Sequence, residues 1–177
     1  MKNVVLKYGL IAGLIQVVVG FGLMALLFGD GSDKIKYGEL LGYTVMIVAL
    51  SVIFIGVRTY RDEQLDGAIS FGKALQVGVL ITLVASALYV IGWLLHYHFG
   101  NGAAIMDDYM AHSIEAIRNS GQSAEAIQAE IDEMKGFMEM YENNPIVMIG
   151  MTFMEIFPVG LIISLITAAL LRRKTAA

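Results

Sequence analysis

The sequence predicts an all-α integral membrane protein of four transmembrane helices, with an acidic extracytoplasmic αα-hairpin set between the third and the fourth. Composition is the first reason: 57% of the 177 residues are hydrophobic and 16% are charged, with a mean hydropathy of +0.69, whereas a soluble domain carries about 25% charge. Length is the second. A helix rises about 1.5 Å per residue and the hydrocarbon core is roughly 30 Å thick, so about 20 apolar residues are needed to cross it. The third is the polar segment 100–144, which holds nine of the sixteen acidic residues. A chain of this size forms one domain, 1–177, with that segment as an insert.

Residues 8–28 form the first span. Lys2 and Lys7 precede it as they would a signal peptide, but the apolar run exceeds a typical h-region and no small-x-small cleavage site precedes Asp30. Gly9 and Gly13, like Gly38 and Gly42 at the start of the second span, stand at the four-residue spacing that lets helix backbones approach closely, which serves packing within the bundle or pairing of chains. Gln16 lies deeper and reads as a helix–helix hydrogen bond. The second span covers about 40–57 and stops at Arg58.

The third span, about 74–95 within the run Phe71–Phe99, has no formal charge after Lys73. Trp93, Tyr97, His96 and His98 mark its end as a membrane interface. Thr82, Ser86, Tyr89, Trp93 and His96 share one face at spacings of three and four. They are read either as the lining of a small polar cavity or as interhelical hydrogen bonds.

In the hairpin, Met106, Tyr109, Met110, Ile114 and Ile117 predict one helix. Gly121 breaks it, Ser123 caps a second, and Ile127, Ile131, Met134, Met138 and Tyr141 stripe that second helix. Asn143-Asn144-Pro145 ends it. The fourth span covers about 146–171, with a kink expected at Pro158. Both spans pairs run in like orientation and open with Tyr8-Gly9 and Phe71-Gly72, a weak sign of duplication.

With both termini and the Arg58–Lys73 loop in the cytoplasm, eight of the twelve bases lie inside: Lys2, Lys7, Arg58, Arg61, Lys73, Arg172, Arg173 and Lys174. This distribution obeys the positive-inside rule and places the chain in a bacterial inner membrane. The loop itself, R-x-Y-R-D-E-x-x-x-G-x-I-S-F-G-K-A over residues 58–74, resembles the bacterial four-span membrane family catalogued as domain of unknown function 4199. That resemblance implies the fold and the membrane location for essentially the whole chain, and no activity.

Candidate chemistry is sparse. Glu155 is the sole acidic residue within an apolar run, and counting back about 20 residues from Leu171 puts it roughly 6 Å below the outer boundary. Thr152, Tyr43, Tyr89 and His96 stand at comparable depth or on facing helices. If they converge, Glu155 and His96 form a protonatable pair. In the cytoplasmic loop, Arg58, Arg61, Asp62, Glu63 and Lys73 form a candidate interface for headgroups or a partner.

Metal and cofactor chemistry find no pattern. His96 and His98 are two residues apart and diverge on a helix, His112 with Asp107 and Asp108 would need the chain to fold back, and the eleven methionines fall where packing needs them. Cys is absent, and no P-loop, G-x-S-x-G or H-E-x-x-H occurs. The net charge of −4 argues against nucleic acid. The expectation is therefore a non-enzymatic accessory or interaction subunit, embedded in the lipid bilayer, that meets a protein partner through the acidic hairpin. The alternatives are a small oligomeric proton- or cation-linked transporter or pore using Glu155 and His96, and a lipid-interacting enzyme.

Overall fold

The computed structural model describes residues 1–23 and 33–173, apart from the side chains of 33–37 and 39. Helix α1 (Lys2–Ile15) continues as a π-helical stretch, Gln16–Phe21; α2 (Asp33–Leu50) and α3 (Val52–Gln64) follow, then α4 (Phe71–Phe99), α5 (Gly102–Arg118), α6 (Ala124–Asn143) and α7 (Pro145–Leu171). Four segments are long and apolar enough to cross a membrane: Lys2–Phe21, Leu40–Gln64, Phe71–Phe99 and Pro145–Leu171. The chain is thus an all-helical, multi-pass membrane protein. Leu14, Val48, Ile91 and Ile162 stand more than half exposed on its outer surface, an arrangement lipid accepts and water does not.

The predicted boundaries shift in an instructive way. The first helix begins at Lys2, six residues before the apolar run, and the expected end at residue 28 lies outside the described residues. Ser51 interrupts the second span, its hydroxyl donating to the Ile47 carbonyl at 2.8 Å, and the helix then runs seven residues beyond Val57 to Gln64. The expected loop Arg58–Lys73 is therefore mostly helix. The chain turns only over Leu65–Ser70, where Asp66 and Gly67 take positive φ of 49° and 83° and the Gly67 amide donates to the Arg61 carbonyl at 3.0 Å. Ser70 then caps α4, accepting from the Lys73 amide at 3.3 Å.

The other helix starts follow their caps. Gly121 takes a φ of +75°, and Ser123 accepts the Ala126 amide. Asn144 accepts the amides of Ile146 and Val147 at 3.0 and 3.4 Å, with Pro145 in the first turn of α7, where its missing N–H is not needed. Helix α7 passes through Pro158 without ending.

The third span is the hub, with the first and fourth spans against it and α3 alongside. Small residues set these distances. A Cβ at Gly9 would lie 2.5 Å from the Val84 Cβ, and one at Gly13 2.7 Å from the Leu88 Cβ, so this pair packs the first span onto the third and is not a surface for a second chain. Across the hub, Gly78 meets Ser164, Gly160 meets Thr82, and the two hydroxyls lie 3.2 Å apart. Gly42 behaves differently: nothing lies within 4 Å of where its Cβ would stand.

Both described chain ends sit at one end of the bundle. The Met1 amine donates to Gln64 at 2.5 Å, and the Arg173 amide to the Ile69 carbonyl at 3.0 Å. At the opposite end the hairpin of α5 and α6 folds down onto the third and fourth spans, with Met138, Tyr141 and Met148 forming a cluster against Trp93, Leu94, Tyr97, Met106 and Met110.

Candidate functional site

Beneath the hairpin lies a cavity of about 460 Å³, within the roughly 300–1,000 Å³ of small-molecule sites. All four spans and both hairpin helices contribute to its wall. From the first span come Gln16, Gly20 and Phe21, all members of the π-helical stretch. A π-helix has wider turns than an α-helix, so residues four and five apart face the same way, and the stretch aims these three inward together. Gly38, Gly42, Tyr43 and Met46 come from the second span, Tyr89 and Trp93 from the third, and Met151, Thr152 and Glu155 from the fourth.

Three polar arrangements give the cavity its character. The Tyr89 hydroxyl donates to Glu155 Oε2 at 3.2 Å, tying the third span to the fourth at the carboxylate. The Trp93 indole N–H donates to the Tyr141 hydroxyl at 2.6 Å, tying the third span to the hairpin. Gln16 is 2% exposed, and its amide nitrogen is buried with no partner among the described residues, an exception to the rule that buried amides are satisfied. Tyr141 lies outside the spans, and burial raises its phenol above the ordinary value, so it keeps its proton and its own donor.

The cavity has a mouth. Tyr43 of the second span, Tyr109 of α5 and Met151 of the fourth span are 43%, 49% and 47% exposed, and Asp108 and Glu155 are exposed as well. They lie where these three elements meet at the hairpin end. Glu155 is thus reachable from the mouth although protein surrounds it on its other sides.

Of the residues singled out in the spans, Glu155, Thr152, Tyr89 and Tyr43 line this one cavity, and His96 does not join them. Its ring stacks on Phe21 with centroids 5.1 Å apart and planes 5° apart, and its Nε2 is buried without a partner among the described residues. No contact among the described residues links it to Glu155, so the expected protonatable pair does not form. Gln16, read from sequence as a helix–helix hydrogen bond, is instead cavity wall. That Gln16 and the hairpin's Asp108, Phe137 and Met138 join this wall was not legible in the sequence, because no spacing joins elements so far apart in the chain.

Of the residues of the candidate interface loop, Asp62 joins two: it takes Arg58 at 3.5 Å and Arg61 at 2.7 Å. Lys73 reaches Gln76 at 3.0 Å on its own helix, and Glu63 is exposed. Among the described residues no three His, Asp or Glu side chains converge as a metal site would require.

A family model described as protein of unknown function (DUF4199) matches residues 7–173. No curated protein and no solved structure matches the chain.

Proposed function

The chain belongs to the DUF4199 family, and we propose that it is a non-enzymatic binding protein of the bacterial cytoplasmic membrane that takes a small molecule into the cavity beneath its hairpin. The observation that carries this reading is the convergence of Gln16, Tyr89, Trp93, Thr152 and Glu155 on one opening. The proposed orientation puts both termini in the cytoplasm, with the eight bases of residues 2–7, 58–73 and 172–174 at that end. The ligand then enters from the outer face.

A pore is less well supported than a one-sided site. Toward the chain ends, Ile53, Val57, Ala74, Val77 and Ile81 are fully buried, and the Thr82–Ser164 contact closes the middle of the bundle. The hairpin also turns Met138 and Tyr141 onto the spans, which makes it a roof before it is a docking surface. An accessory role keeps one observation in its favour: the outward face exposes Glu125, Glu130, Asp132, Glu133 and Glu139, with Arg118 and Lys135 as the bases of the segment.

One purification separates the two. Wild type and Gly42→Phe, isolated from native membranes in mild detergent, are compared by native mass spectrometry. A Cβ at Gly42 would meet nothing within 4 Å among the described residues, and a phenylalanine there is expected to reduce the cavity that Gly42 lines. Wild type is expected to carry a small molecule that the variant has lost, at equal yield. If neither carries one and a protein co-purifies with both, the accessory role replaces the binding role.

A further inference from the structure

The ligand class is legible from the cavity wall, granted the small-molecule reading above. Two carboxylates, Asp108 at the mouth and Glu155 within, belong to the lining, and no Lys, Arg or His does among the described residues. An anionic occupant would meet only like charge there. A carboxylate at membrane depth, held here by the Tyr89 hydroxyl, is stabilised either by a proton or by a positive charge brought beside it. The same lining carries aromatic rings from different elements, Tyr43, Tyr89, Trp93 and Phe137, with Tyr89 in contact with the carboxylate. Ring faces attract cations, most strongly where water is displaced.

Apart from Gln16, Thr152 and two tyrosines, the remaining lining is apolar and includes Leu41, Val45, Met46, Ile105, Met106 and Met151. Such a wall suits a hydrocarbon body and gives no reward to a bare inorganic ion. We infer that the cavity binds an amphipathic organic cation, with an ammonium group beside Glu155 and its substituents among the aromatic rings. The mouth faces the level at which such molecules collect, since amphipathic cations concentrate at the boundary of headgroups and acyl chains.

The chain supplies its own reporter, because Trp93 is its one tryptophan and lies on the cavity wall. The purified protein in detergent is titrated with a phenylalkyl-trimethylammonium and with its neutral isostere, in which carbon replaces nitrogen, following Trp93 fluorescence. The expected result is that the ammonium binds at least about tenfold more tightly than the isostere, and that Glu155→Gln abolishes that preference while leaving the isostere's affinity unchanged. Equal or tighter binding of the isostere overturns the cation assignment, as it would if a proton alone balanced Glu155, and leaves the small-molecule reading standing. A preference that survives Glu155→Gln overturns the role given to that residue. No response to either probe overturns the small-molecule reading as well. Should Glu155→Gln fail to fold, the wild-type comparison of the two probes still decides the sign of the ligand.

Discussion

At the scale of single residues, the contact between Trp93 and Tyr141 has the clearest consequence. It joins the hairpin to the third span through side chains, at 2.6 Å. Burial raises the Tyr141 phenol above its ordinary value, and because its oxygen is the acceptor the bond does not depend on the phenolic proton. Tyr141→Phe keeps the ring and its edge contact with Tyr97 at 6.2 Å but leaves the indole N–H without an acceptor. The expected loss is about 1–3 kcal/mol, read as a lower midpoint of thermal unfolding in detergent, with faster amide exchange in α6 than in α4. Equal exchange in the two helices would show that apolar packing alone holds the roof down.

Among the helices, the π-helical stretch Gln16–Phe21 has the largest effect on the cavity. Val18 and Val19 on its far side are 66% and 40% exposed, so lipid, not protein, adjoins the extra residue. Deleting Val18 is expected to restore an α-helical register and rotate Gln16 by roughly 100° relative to Phe21. Gln16 and Phe21 could then no longer face the cavity together, and the retained small molecule should be lost while the span still inserts. Retention of the ligand at wild-type level would mean that the wider turn is incidental to the site. The polar stripe of the third span shows how one helix face divides its work: Thr82 meets Ser164, Tyr89 meets Glu155, Trp93 meets the hairpin, and His96 stacks on the first span.

For the whole molecule the open question is sidedness. The chain ends and the Leu65–Ser70 turn lie together, and the hairpin lies at the other end. The absence of cysteine makes single cysteines at the exposed positions Gln122 and Glu63 clean reporters. An impermeant maleimide applied to intact cells is expected to label Gln122→Cys and to label Glu63→Cys only after lysis. The reverse pattern would put the cavity mouth on the cytoplasmic side and remove the proposed route of the ligand.

The second span runs seven residues past its expected end and makes most of the expected Arg58–Lys73 loop helical. The sequence by itself nevertheless determined which four segments span, that a hairpin stands between the third and the fourth, and that Ser123 caps its second helix. Each of these is local: apolar length decides the spans, and Ser70, Ser123 and Asn144 satisfy helix N-termini from the adjacent residue. What only the tertiary structure decided is which side chains meet. Gln16, Gly42, Tyr89, Trp93 and Glu155 come from four separate helices, and their convergence depends on the rotation of each helix about its axis. That rotation is set by close contacts between distant residues, Gly9 with Val84, Gly13 with Leu88 and Gly160 with Thr82, and by a π-helical stretch that no Pro or charged residue announces. Small residues allow approach on whichever face they occupy but do not name their partner, so the spacing of Gly9 and Gly13 was legible as a packing surface while the helix it packs against was not. His96 parted from Glu155 for the same reason, because equal depth along two helices places residues in one layer and leaves their directions to the packing.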